Sequence, residues 1–145
     1  MPDRRAGRIL RRMIVERLDH VNIITDRLTE TARFYAGLLD LEERDGPPPL
    51  RPEQVRWMYD SAGNAILHLN SVDCPRAFDR AVSPGAETGA IHHVALRCGD
   101  FDTVKARLDA RGADYRINDL SAIGLRQIFT ADPNNVLLEL NFFAA

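Results

Sequence analysis

Apolar residues are spaced first as in a strand and then as in a helix, and this succession occurs twice along the chain. The run 21–25 is rich in β-branched residues, which is typical of a strand. Asp26 and Asp100 precede the two helical segments and are predicted to cap them, and Gly112 is predicted to end the second helix. The apolar positions of the predicted helices are Leu28, Ala32, Tyr35 and Leu39 in the first and Phe101, Val104 and Leu108 in the second.

Three further short strands follow each helix and complete a β-α-β-β-β unit. Their predicted ranges are 41–44, 55–59 and 65–70 in the first unit and 114–118, 125–130 and 136–142 in the second. A polar segment that contains Pro and Gly, residues 71–90, is predicted to link the two units. The fold class that we predict is therefore α+β, with tandem βαβββ modules at residues 14–70 and 91–145 of one structural domain, residues 14–145.

The two units resemble each other in sequence, which indicates an internal repeat. The segment LDHVNIIT at 18–25 aligns with IHHVALRC at 91–98, and AILHLN at 65–70 aligns with VLLELN at 136–141. The two alignments have nearly the same offset, 73 and 71 residues. Both modules therefore have a histidine at the first strand and, at equivalent positions of the last strand, a polar residue.

Four residues with metal-ligand chemistry occupy equivalent positions in the two modules. His20 matches His93, and His68 matches Glu139. Because strand side chains alternate between faces, all four are predicted to point away from the helices. A carboxylate in the apolar run around Glu139 needs a partner or a cation, and imidazole with carboxylate suits Fe(II), Mn, Zn, Ni or Co. We therefore expect the two curved sheets to form one half-closed barrel around a divalent metal ion.

Composition limits the classes of partner. The chain has 145 residues and a net charge of −2, which gives no strong field for nucleic acid or an anionic membrane. No apolar run approaches the ~18 residues of a membrane span. Two cysteines, Cys74 and Cys98, make no disulfide framework, so a cytoplasmic location is expected. Residues 1–13 carry five arginines and are expected to form a basic, flexible extension.

Four segments give the chain a resemblance to a known family. They are DHVNIIT, RFYAGLLDL, HHVALRC and IFTADPNNVLLELNF. Through them the chain resembles, from Val15 to Phe143, the vicinal-oxygen-chelate superfamily, which includes glyoxalase I, bleomycin resistance proteins and extradiol dioxygenases. The resemblance implies a divalent ion, Fe(II) or Mn in preference to Zn, Ni or Co, and a small substrate that chelates it through adjacent oxygens. The ligands that it implies are His20, His68, His93 and Glu139.

Members of the superfamily catalyse different reactions. Extradiol dioxygenases use two histidines and a glutamate, here His20, His93 and Glu139, and place an acid–base histidine near the site of His68. A glyoxalase-I-like lyase or an epimerase-like isomerase is an alternative, and a non-catalytic protein that binds a small drug molecule is another. The sequence leaves His68 as either a fourth ligand or the catalytic acid–base group.

Three further residues are candidate substrate contacts. Arg56 and Arg97 are predicted to face the cavity, where either side chain could bind a substrate carboxylate through two hydrogen bonds. Phe129 is predicted to supply an apolar wall. The partners that we expect are a small-molecule substrate and a second copy of the chain in a homodimer, with no nucleic acid and no membrane.

Overall fold

The computed structural model describes residues 14–81 and 84–145, and it contains two four-stranded sheets with one helix in each module. The first module comprises β1 (Val21–Thr25), α1 (Leu28–Leu39), β2 (Glu42–Asp45), β3 (Val55–Tyr59) and β4 (Ala65–Ser71). The second comprises β5 (Val94–Cys98), α2 (Phe101–Ala110), β6 (Tyr115–Leu120), a short 3-10 helix (Ser121–Ile123), β7 (Leu125–Ala131) and β8 (Leu137–Phe143). The predicted α+β fold of two tandem βαβββ modules is confirmed. The expected extension at residues 1–13 lies outside the described residues.

Both sheets have the same strand order, which shows the internal repeat in three dimensions. The orders are β1-β4-β3-β2 and β5-β8-β7-β6. In each sheet the first and last strands of the module pair in parallel, and the other neighbours are antiparallel. A parallel pair needs a crossover connection, and here the helix is part of it. Within the described ranges, no helix has both the length and the apolar character needed to cross a membrane.

One face of each sheet contributes to the apolar core, together with the helices. Leu67 and Leu69 in β4 and Leu138 and Leu140 in β8 are at most 2% exposed, whereas the residues between them remain partly exposed. This alternation follows from the pleat, which sends successive side chains to opposite faces. Burial of the apolar face supplies the main driving force for folding and leaves the opposite face free for polar side chains.

The two helices begin differently. Asp100 caps α2 as predicted, since its side chain accepts a hydrogen bond from the Thr103 backbone N–H at 3.1 Å. The prediction that Asp26 caps α1 is wrong, because no side chain caps this helix at its first residue. The Thr25 hydroxyl instead accepts the Arg27 backbone N–H at 2.9 Å, so the turn into the helix is stabilised from within β1.

A buried polar network fixes the first helix to the second module. The Tyr35 hydroxyl donates to Asp132 Oδ2 at 2.9 Å, and Asp132 Oδ1 accepts the backbone N–H groups of Asn134 and Val136 at 2.7 and 2.9 Å. The Asn134 side-chain amide donates to the Thr31 hydroxyl at 2.9 Å. Burial, together with the Asp132 carboxylate, raises the pKa of Tyr35 far above its usual value. Because both carboxylate oxygens of Asp132 accept hydrogen bonds, the network joins the two modules without leaving this buried group unsatisfied.

Candidate metal centre

The predicted ligands lie at equivalent places in the two sheets. His20 and His93 come directly before β1 and β5, whereas His68 and Glu139 lie in β4 and β8. Each of these last two strands is hydrogen-bonded to a neighbour on both sides. The backbone that carries His68 and Glu139 is therefore held in the interior of its sheet.

In the first module, three aromatic rings form a stack. The His20 and His68 rings have centroids 3.8 Å apart, and the Trp57 and His68 rings 4.2 Å apart, with interplanar angles of 15° and 5°. Two rings that stack on one imidazole must occupy its opposite faces, so His68 lies between His20 and Trp57. His20 Nδ1 also contacts Asp19 Oδ2 at 2.6 Å. Burial and the neighbouring His20 lower the pKa of His68, and Asp19 acts in the opposite direction.

In the second module, His93 and Glu139 form a direct pair. His93 Nε2 lies 3.0 Å from Glu139 Oε2, and the Glu139 side chain is only 16% exposed. Two donors at about 2.1 Å from one ion, and at right angles to each other, are also about 3.0 Å apart. The His92 and His93 Nδ1 atoms are 3.0 Å apart, and the tautomer in which His93 Nδ1 donates leaves its Nε2 free to bind a metal ion. This pair therefore fits two ligands of one divalent ion.

The structure brings the four predicted ligands together as two pairs rather than as one cluster. His20 contacts His68, and His93 contacts Glu139. Within residues 14–81 and 84–145, no three His, Cys, Asp or Glu side chains are close enough to hold one ion. The described part of one chain therefore contains two half-sites. We call the His20–His68 pair the first half-site and the His93–Glu139 pair the second.

Gln127 is a residue of the second half-site that the sequence analysis missed. Its Nε2 atom donates to Glu139 Oε1 at 2.8 Å and to Asn141 Oδ1 at 2.9 Å. Its Oε1 atom accepts from Asn118 Nδ2 at 2.8 Å. Strand alternation could have revealed it, because Gln127 is two residues from Phe129 and therefore shares its face.

The predicted placement of Arg56 on the same face as His68 is wrong. In the register of β3 and β4, Trp57 lies opposite His68, whereas Arg56 lies opposite Leu69. Arg56 therefore shares the face of the buried core residues and is paired with Glu43, with Nε and Oε1 2.6 Å apart. Successive side chains of β3 point to opposite faces of the sheet. Because Trp57 shares the face of His68, the neighbouring Arg56 must point to the other face.

Arg97 and Phe129 lie on the same face as Glu139. Phe129 is directly opposite Glu139 in the register of β7 and β8, and Arg97 is opposite Asn141 in that of β5 and β8. The Arg97 guanidinium carbon lies 4.4 Å above the centre of the Phe143 ring. Both residues therefore lie on the face where they were predicted, and their roles as substrate contacts stay predictions.

A cleft of about 800 Å³ lies beside His93, between the two modules. Its lining includes Asn22 and Ile24 of β1 and Ala95 of β5, together with residues of the segment that links the modules. Most of its surface is apolar. The cleft thus borders the second half-site at His93.

Comparison with protein families gives one match over most of the chain. The profile described as the Glyoxalase/Bleomycin resistance protein/Dioxygenase superfamily matches residues 17–140. Among curated protein sequences, no significant match is found.

Solved structures of similar fold include proteins from several bacteria. A glyoxalase/dioxygenase from Nostoc punctiforme is 16% identical with a TM-score of 0.67, and the match covers 90% of this chain and 92% of that one. A fosfomycin resistance protein from Listeria monocytogenes is 16% identical with a TM-score of 0.62, over 89% and 94% of the two chains. A lactoylglutathione lyase from Agrobacterium tumefaciens is 18% identical with a TM-score of 0.60, over 90% and 96%. At these identities the likeness shows the fold alone.

Proposed function

The chain belongs to the Glyoxalase/Bleomycin resistance protein/Dioxygenase superfamily, and from this we propose that it is an enzyme that binds a divalent metal ion and a small substrate with two adjacent oxygen atoms. The set His20, His93 and Glu139 resembles the triad of extradiol dioxygenases, and we favour Fe(II) or Mn and ring-cleaving or related oxygenase chemistry. Lyase or isomerase chemistry of the glyoxalase I type is the alternative.

The contact between His93 and Glu139 carries the proposal. An imidazole nitrogen directly before β5 and a carboxylate oxygen in β8, 3.0 Å apart and beside an apolar cleft, are arranged as two adjacent ligands of one ion. A largely buried carboxylate is costly unless a cation or hydrogen-bond donors balance its charge. The ligand set also excludes a preference for soft ions, because it contains no thiolate.

Each residue of the site has a proposed task. A bound divalent ion supplies Lewis-acid stabilisation of negative charge on the chelated substrate oxygens. His20, His93 and Glu139 would hold the ion, while the His68 imidazole would take up and return a proton at the substrate. Arg97 binds a substrate carboxylate, and Phe129 packs against the apolar part of the substrate.

We propose that two copies of the chain complete the site as a homodimer. One described chain presents two half-sites, and two copies could join the His20–His68 pair of one protomer to the His93–Glu139 pair of the other. Apolar residues beside the two pairs are exposed, Leu18 by 79% and Ile91 by 63%. Association of two chains would remove such side chains from water.

Metal binding can be measured through the protein's own fluorescence. Trp57 is the one tryptophan of the chain and stacks on His68. Titration of metal-free protein with Co(II) should quench its emission with saturation, and an equal amount of Zn(II) should displace the Co(II) and reverse the quenching. Elemental analysis should show about one ion per chain. Protein that neither retains nor binds Mn(II), Co(II) or Zn(II) contradicts the proposed function.

A mixing experiment tests the shared site. If each site takes His20 from one chain and Glu139 from the other, His20→Ala and Glu139→Ala homodimers both have broken sites. A heterodimer of the two variants then contains one site with both mutations and one intact site. Metal binding should therefore return when the variants are unfolded together and refolded. If mixing restores nothing while the wild-type protein binds metal, each site lies within one chain.

The reaction class is tested with three groups of substrate. Metal-loaded protein is assayed against catechols, glutathione hemithioacetals and acyl-CoA epimers. Turnover of catechols with oxygen uptake supports the dioxygenase proposal, and turnover of either other group alone replaces it with a lyase or an isomerase.

The two cysteines are both free thiols, which supports the proposed cytoplasmic location.

A further inference from the structure

We propose that Gln127 is a positioning residue that restricts Glu139 to one metal-facing oxygen and thereby sets which divalent ion the site prefers. The inference rests on the proposed function, because it concerns the ion that Glu139 would hold. It goes beyond that function by assigning a role to a residue that contacts neither the ion nor the substrate.

The hydrogen bonds of Gln127 fix the orientation of its amide. Both hydrogens of its NH₂ group are used, one on Glu139 Oε1 at 2.8 Å and one on Asn141 Oδ1 at 2.9 Å. Its carbonyl oxygen accepts from Asn118 at 2.8 Å. A flipped amide would place this oxygen against two other acceptors, so only one orientation satisfies the network.

The hydrogen bond from Gln127 makes the two carboxylate oxygens of Glu139 inequivalent. Oε1 is bound to the Gln127 amide, and Oε2 faces His93 Nε2 at 3.0 Å. The partial positive charge of the amide hydrogens lies beside Oε1, which opposes the approach of a cation on that side. Glu139 is therefore held to present Oε2 alone.

The other module supplies an internal comparison. Val55 lies opposite Asn70 in the first sheet just as Gln127 lies opposite Asn141 in the second. The first module thus has an apolar side chain at the position where the second module has the amide that bonds its carboxylate. Of the two equivalent strand positions, the hydrogen-bond donor Gln127 therefore occurs only beside the ligand that is a carboxylate, which has a second oxygen able to bind metal.

A carboxylate restricted to one oxygen favours small transition-metal ions. Ca²⁺ takes six to eight oxygen ligands and often both oxygens of one carboxylate. Mn, Fe, Co, Ni and Zn accept sites that combine imidazole with carboxylate. Loss of the Gln127 amide would free Oε1, raise the number of oxygen ligands and shift the preference toward Ca²⁺.

The test compares Gln127→Leu with the wild-type protein. Mn(II) and Ca²⁺ affinities are measured by direct titration of metal-free protein, and the expected result is a Mn(II) affinity lower by about 10–100-fold with the ratio moved toward Ca²⁺. The visible absorption of the Co(II) protein should weaken as the coordination number rises. Gln54→Leu is the matched control, because it removes the other glutamine of the chain, whose side chain accepts the Arg51 backbone N–H, away from both half-sites.

A milder variant keeps the test valid if Gln127→Leu does not fold. Asn118→Ala removes the partner that orients Gln127 at an exposed position, and it should shift the same affinity ratio in the same direction by a smaller factor. Unchanged affinities and Co(II) spectra in variants that fold overturn the inference and leave the proposed function standing. A wild-type protein that binds no metal overturns both.

Discussion

The two modules have one backbone plan and two ways of supporting the polar residue in their last strand. His68 is packed between aromatic rings, whereas Glu139 accepts a hydrogen bond from Gln127 and contacts His93. A partly buried neutral imidazole costs less than a buried carboxylate, whose charge needs hydrogen-bond donors or a cation. The repeat thus keeps strand order and register, while the neighbours of each ligand match its charge.

The largest effect is expected when the two equivalent residues, His68 and Glu139, are each replaced by the same neutral amide, glutamine. Glu139→Gln should abolish tight metal binding, because it removes the charged ligand, and the loss should exceed the ~10–100-fold effect of a supporting residue. His68→Gln should retain the metal if His68 is an acid–base group. Elemental analysis of both proteins, purified without chelator, measures the difference. Equal metal content in the two variants would break the distinction between the modules.

The second prediction concerns the chemistry of His68. His68→Ala should keep the ion and lower kcat by about 10²–10⁴-fold, the usual contribution of a general acid or base. Gln54→Leu is the control, since its side chain accepts the Arg51 backbone N–H, away from both half-sites. Loss of metal from His68→Ala would instead make His68 a fourth ligand.

The third prediction compares the two arginines. Arg97→Ala should raise KM for a substrate with a carboxylate by about 10-fold or more, because a charge-assisted pair is lost from the site face. Arg56→Ala should leave KM unchanged, because Arg56 is paired with Glu43 on the opposite face of its sheet. A larger KM effect from Arg56 would contradict the register of β3.

The smallest effect is expected at the junction of the two modules. Tyr35→Phe removes the donor to buried Asp132 and should lower the free energy of unfolding by about 1–3 kcal/mol. Urea denaturation measures this loss, and Tyr59→Phe, at a partly exposed position, is the control. No measurable change would show that the junction does not depend on this hydrogen bond.

The same residue gives the stability a pH dependence. The folded state raises the pKa of Tyr35, so it retains this proton where the unfolded chain releases it, above about pH 10. The stabilisation is therefore complete below about pH 10 and falls as the pH rises further. Denaturation midpoints at rising pH should decline less steeply for Tyr35→Phe than for the wild-type protein.

Local patterns predicted the elements well because strands and caps depend on nearby residues. The range 55–59 and the Asp100 cap were predicted correctly. Asp26 failed as a cap because Thr25, one residue earlier, offers a better-placed acceptor.

Side-chain neighbours were harder to predict, because they depend on register and on the placement of one module against the other. Arg56 was assigned to the wrong face, although the alternation set by the core positions of β3 fixes its direction. The alternation of side chains along β7 would likewise have placed Gln127 on the same face as Phe129 and Glu139. The grouping of the four ligands into two pairs, by contrast, depends on how the modules pack against each other, which no local pattern encodes.

Diffraction from crystals grown with Mn(II), measured for its anomalous signal, tests the central claim most directly. The account predicts one strong peak at about 2.0–2.2 Å from both His93 Nε2 and Glu139 Oε2, with His20 of the partner chain as a further ligand. Metal-loaded crystals with no peak beside this pair, or with Mn(II) bound only elsewhere, would contradict it.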